Sequence, residues 1–262
     1  MKYKSLYDSI ELTKKYQVYE GNLGDVLTDM IKILSKKNKT KQDYSNLAFQ
    51  SPRIVRALVD YKNNNPNDKT LLRLLKDGIE ISLKIYEQYE DPKIKDELLK
   101  LKKEIIKLGH ANLLKTRIHQ YHDFINLIAS KPELSQKAAE KLNKIVGEEK
   151  AIMLVIGHGA INTGMDVFWR YKDLSGKNNL LFHVVRFSRT EFKKYEDKVP
   201  QLTPDEIKYL KKKALGREII VYDENSYTGK TIKKVVKYLS ENVFNRHKIN
   251  VLYNIDTKNL KI

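Results

Sequence analysis

The segment from Glu218 to Thr231 holds the residue types and spacing best suited to chemistry in this chain. Four apolar or aromatic residues, Ile219, Ile220, Val221 and Tyr222, lead into two adjacent carboxylates, Asp223 and Glu224. After three further residues come Thr228, Gly229, Lys230 and Thr231, and an amphipathic run continues from Ile232 to Leu239. This pattern predicts a short buried strand, a loop crossing its carboxyl edge, and a helix that begins at the threonines. In open α/β sheets ligands bind at that edge, and a helix N-terminus with a glycine turn suits a phosphate. Two carboxylates just ahead of a phosphate cradle point to a ligand offering a phosphate together with hydroxyls or a Mg²⁺ ion. A P-loop would need a glycine at position 224, where Glu224 would repel the phosphate chain.

A second segment has matching character. Residues 151 to 156 form an unbroken apolar run of strand length, followed by Gly157, His158 and Gly159 and then a helical pattern through Tyr171. Glycines at a strand-to-helix turn let backbone N–H groups face an anion. Leu180 to Phe187 reads as another strand, with Arg186 and Arg189 near its end, placed either to meet an anion or to point into solvent. A polar stretch from Ser188 to Thr203 follows, containing Lys193, Lys194 and Lys198, then a helix from about Thr203 to Ala214 and a last strand from Ile249 to Ile255.

Together these parts resemble the type I phosphoribosyltransferases. Their signature for phosphoribosyl diphosphate (PRPP) is an apolar strand, two acidic residues, and a Thr-Gly-x-Thr-like loop opening a helix. The fold class implied is α/β: a parallel-sheet phosphoribosyltransferase-like domain over residues 149–262, preceded by an all-helical region over 1–148. By this resemblance Asp223 and Glu224 hold the ribose hydroxyls, directly or through Mg²⁺ carried by PRPP. Tyr227, Thr228, Gly229, Lys230 and Thr231 form the 5′-phosphate loop. Gly157, His158 and Gly159, with Arg186 and Arg189, lie where the diphosphate binds, and the 188–203 stretch resembles the loop that closes over the site. The activity implied is transfer of ribose 5-phosphate to a small nitrogenous acceptor. Tyr227 stands where the purine-salvage branch has an aspartate base, a departure from that branch, because a tyrosine with a pKa near ~10 is a poor base at neutral pH. The family's frequent dimers imply a homodimer as one arrangement.

Simpler readings compete at each position. Asp223 and Glu224 also suit an ordinary strand-end turn, and Thr228 a plain helix cap. A non-catalytic protein that binds a ribose phosphate or nucleotide would keep the same motifs. The net charge of +17, from 50 basic and 33 acidic side chains, attracts polyanions and leaves a nucleic-acid-associated role open. Its densest clusters, at residues 36–39 and 211–213, read as solvated faces. With no cysteine, disulfides and thiolate chemistry are excluded within this chain. No signal-like segment opens the sequence and no apolar run approaches a membrane span, so a cytoplasmic protein without a membrane partner is expected.

The first half reads as helices. Val26, Leu27, Met30, Ile31 and Leu34 share one helical face; Ser51 and Pro52 read as a helix start; residues 63–68 form a loop. A helix is expected from Lys69 to Tyr89, another pattern from Lys93 to Ile128 with an interruption at Gly109, and a last helix from Lys131 to Gly147. On the 93–128 pattern His119, His122 and Asp123 would share a helix face, a geometry open to a metal but more simply a polar surface, with His110 the only histidine near them. Trp169 is expected to pack its helix on the sheet.

Overall fold

The structure, a computed structural model, describes residues 6, 18–121, 128–157, 159–187, 199–226, 229–245 and 247–256. The chain divides into two compact units between Leu127 and Ile128.

The first unit is mainly helical: α1 (Leu23–Leu34), α2 (Lys41–Asn64), α3 (Thr70–Gln88) and α4 (Lys93–Lys107). Capping boxes at Asn22 with Asp25, and at Thr40 with Asp43, satisfy the first N–H groups of α1 and α2. Three expectations for this region are corrected. It contains an antiparallel ribbon of β1 (Val18–Asn22) and β2 (Arg117–Tyr121), so it is not helical throughout. The 93–128 pattern is not continuous, because Gly109 adopts a φ of 82° and closes α4 with paired bonds from Gly109 N to Ile106 O and from His110 N to Ile105 O. His119 therefore lies in a strand, where its Nδ1 is 2.9 Å from Glu20 Oε1, and not on a helix face; His122 and Asp123 lie outside the described residues.

The third correction concerns Pro52, which sits inside α2 and does not start it. A mid-helix proline leaves the carbonyl four residues back without its N–H donor. Here that carbonyl, on Ala48, accepts a 2.9 Å bond from the buried Tyr86 hydroxyl of α3, and Ser82 Oγ donates to Ser51 O at 2.9 Å. Two hydroxyls of α3 thus replace the backbone support that the proline removes.

The second unit begins with α5 (Pro132–Val146), the helix that the sequence alone groups with the helical half. It continues through β3 (Ala151–Gly157), α6 (Ile161–Ser175), β4 (Leu180–Arg186), α7 (Pro204–Ala214), β5 (Glu218–Asn225), α8 (Lys230–Asn242) and β6 (Ile249–Ile255). The strands form an all-parallel sheet in the order β4-β3-β5-β6. Every residue of β3 is buried, as expected of a central parallel strand covered on both faces. Ile152, Leu154, Ile156, Ile219 and Val221 pack with Leu210 of α7 and Val235 and Leu239 of α8. On the opposite face Gly164 lets α6 approach Val155 and Tyr222, where a β-carbon would fall 2.9 Å from a Val155 methyl. Trp169 is buried against Phe168 in the core, as expected. Among the described residues no helix is long and apolar enough to cross a membrane.

Replacing Tyr86 with Phe should leave the Ala48 carbonyl buried without a donor and lower unfolding stability by about 1–3 kcal/mol, read by urea denaturation. An unchanged midpoint would show that the hydroxyl does not support the Pro52 turn.

Candidate functional site

The strand order places a crevice by topology alone. The chain leaves β3 toward β4 through α6 on one face of the sheet, and leaves β5 toward β6 through α8 on the other. The carboxyl ends of β3 and β5 are therefore the switch point of the sheet, where ligands enter α/β folds. Gly157 ends β3, and Asp223, Glu224 and Asn225 end β5.

Asp223 and Glu224 continue the strand beyond its expected end and are 9% and 8% exposed. Adjacent strand residues point to opposite faces, so Glu224 shares the α6 face with Tyr222, and Asp223 the α8 face with Val221. The Glu224 N–H donates to Asp223 Oδ1 at 3.0 Å. Burial, and next the charge of Glu224, push the Asp223 carboxyl well above its ordinary value. The pair therefore retains a proton into a range where exposed carboxylates are bare.

Across the crevice, the turn after β3 is shaped to this pair. A β-carbon on Gly159 would fall 2.8 Å from the Glu224 carboxyl carbon, so only glycine leaves that carboxylate its place. Two motifs more than sixty residues apart thus meet at one point. Arg186 pairs with Gly157 in the β3–β4 register, which puts it on the same edge, and its carbonyl accepts from Gln201 N at 2.8 Å. That bridge joins the chain before and after the 188–203 stretch at the rim of the crevice.

The helices that open at this edge differ from α7. Thr203 and Glu206 form a capping box on α7, and Glu206 also meets the buried His183 of β4 at 2.7 Å. By contrast α6 starts at Ala160 and α8 at Gly229, and neither start has a side-chain cap. Gly229 takes the left-handed conformation at φ 66°, which glycine adopts at no steric cost. First-turn N–H groups and the positive ends of two helix dipoles therefore face the edge that holds two carboxylates. Thr231 is half-buried in the first turn of α8, and the Lys230 side chain is exposed. His158, Arg189, Lys193, Lys194, Lys198, Tyr227 and Thr228 lie outside the described residues, as does most of the 188–203 stretch.

Beneath Glu224 runs a polar network that sequence reasoning missed. The buried Tyr222 hydroxyl donates to Asn254 Oδ1 at 2.8 Å, and Asn254 Nδ2 donates to Ala129 O at 2.8 Å and to Ser135 Oγ at 3.2 Å. Burial pushes the Tyr222 phenol well up, opposed by its bond with Thr163 of α6. Asn162, also in the first turn of α6, is buried as well. The available signal was the polar trio Asn162, Thr163 and Gly164 at the head of a helix whose later residues are core.

Among the described residues no cluster of three metal-ligating side chains exists. Two neighbouring carboxylates nonetheless fit a Mg²⁺ that arrives with a phosphate ligand, since Mg²⁺ takes one or two carboxylates and fills its shell with phosphate oxygens and water. No family model matches the chain, and no curated protein matches it in sequence.

Asp223 supplies a pH test. A carboxyl whose folded value lies above its unfolded one favours the fold below the unfolded value, and that contribution is lost as pH rises through the folded value. Asp223→Asn removes this term. Its melting temperature without ligand should exceed that of the parent by a margin that widens from pH 5 to pH 9. A margin constant across that range would mean that Asp223 ionises at its ordinary value.

Proposed function

We propose that the second unit binds PRPP and transfers its ribose 5-phosphate to a small nitrogenous acceptor, releasing diphosphate. The observation that carries this reading is the contact of Gly159 with the Glu224 carboxylate at the β3–β5 switch point, between two helix starts without side-chain caps. A ligand with an anion at each end and hydroxyls between them matches that sequence of groups.

In this reading the first turn of α8, with Gly229 and Thr231, takes the 5′-phosphate through backbone N–H and hydroxyl groups. Asp223 and Glu224 take the ribose hydroxyls, directly or through Mg²⁺. Gly157, Gly159 and the first turn of α6 take the diphosphate. Bound Mg²⁺ would neutralise charge on the leaving diphosphate. The bond from ribose C1 to a diphosphate oxygen breaks and the oxygen keeps the electron pair. A bond from C1 to the acceptor nitrogen forms, and that nitrogen gives up its proton. Positive charge builds at C1 in between, so the task of the protein is to orient the groups, stabilise charge and exclude water. Buried carboxylates near C1 suit that charge.

Calorimetry with PRPP, with and without MgCl₂, tests the reading. Binding should require Mg²⁺ and should strengthen as pH rises, because Asp223 must lose its proton to accept hydroxyl donors or the cation. An Asp223→Ala, Glu224→Ala double variant should lose at least ~100-fold in affinity, about 2.7 kcal/mol. Unchanged binding in the double variant would refute the assignment. Tight binding by the parent, with no diphosphate released over a panel of purines and pyrimidines, would favour a ribose-phosphate-binding protein without turnover.

A further inference from the structure

Asn162 has a buried amide with no partner in the protein. Its side chain is 1% exposed, and among the described residues neither Oδ1 nor Nδ2 meets a hydrogen-bonding group. Buried amides are almost always satisfied, so a bare one at a helix start asks for a ligand.

Its place in the fold locates that ligand. Asn162 lies three residues after Gly159, which packs on the Glu224 carboxylate, and one helical turn before Asp166, whose charge acts on Tyr222. Its neighbour Thr163 bonds the Tyr222 phenol. Tyr222 and Glu224 occupy the same face of β5, so the stripe of α6 that carries Asn162 and Asp166 runs along that face. One turn above Tyr222, at the uncapped start of α6, that stripe reaches the level of Glu224.

The chemistry of the amide narrows the ligand further. Phosphate oxygens only accept, so a phosphate alone would satisfy Nδ2 and leave Oδ1 bare. The same ligand must also supply an O–H donor. We propose that Asn162 is a ligand-binding residue of the crevice, its Nδ2 donating to a phosphate oxygen and its Oδ1 accepting from a hydroxyl-type O–H. That O–H belongs to a ribose hydroxyl or to a water held by Mg²⁺ on the phosphate. The inference rests on the ribose-phosphate reading of the site and adds a residue to it.

Asn162→Leu replaces the amide with an apolar side chain of similar length. The parent and the variant are compared by calorimetry with ribose 5-phosphate without metal, and with inorganic diphosphate with and without MgCl₂. Should the Leu variant fail to fold by circular dichroism, Asn162→Ser takes its place. The variant should bind at least one probe ~10-fold more weakly, the scale of one lost hydrogen-bonding group. A loss with ribose 5-phosphate assigns the O–H to the sugar, and a loss confined to diphosphate with MgCl₂ assigns it to metal-bound water. Affinities equal to those of the parent for every probe would overturn the role of Asn162 and leave the ribose-phosphate reading standing. A parent that binds none of the probes would overturn both.

Discussion

Two carboxylates held out of water at one strand end set the terms for the rest of the second unit. Taking a charged carboxylate from water is costly, and placing a second beside it adds repulsion. The fold offsets this with partial charge and with a retained proton. The starts of α6 and α8 bring positive dipole ends to the same edge, and Asp223 resists ionisation. An arrangement that stabilises the ligand-free protein poorly is well suited to binding something that brings positive charge or hydroxyl donors. The cost borne in the empty state is recovered when such a group arrives.

Most of the surrounding architecture serves to keep that edge in register. β5 lies between β3 and β6, so its acidic end is fixed from both sides by parallel pairing. Tyr222 and Asn254 anchor the β5–β6 edge to Ser135 at the start of α5, which explains why that helix belongs with the sheet. His183 and Glu206 do the same for the start of α7, tying the chain that returns from the 188–203 stretch to β4. Each anchor is a buried polar pair. A misplaced strand would leave such groups unsatisfied, which gives the geometry a specificity that apolar packing alone supplies less sharply.

The first unit illustrates the same principle with different materials. Pro52 removes one backbone bond from the middle of α2, and Tyr86 and Ser82 on α3 occupy the carbonyls around it. Arg53, one residue on, is buried with its guanidinium 3.8 Å from the Tyr19 ring centroid and bonded to Gln50. Polar side chains in this helix layer thus find partners in neighbouring elements and do not gather into a pocket of convergent groups.

By itself the sequence determined the elements of the second unit, because their signals are local. Unbroken apolar runs marked β3 and β4, glycines marked the turns, and Thr203 with Pro204 marked the start of α7. Adjacent carboxylates followed by Gly229 made the ligand edge legible before any coordinates. Local signals failed where a distant residue supplies what the local chain lacks. Pro52 reads as a helix start until Tyr86 is seen to donate to Ala48, and His119 reads as helical until β1 is seen to pair with β2. Only the tertiary structure decided that β3 and β5 are neighbours, that Gly159 makes room for Glu224, and that Asn162 is left without a partner. The physical reason is that strand pairing and desolvation are set by residues far away in the chain, so no window of sequence contains both halves of those interactions.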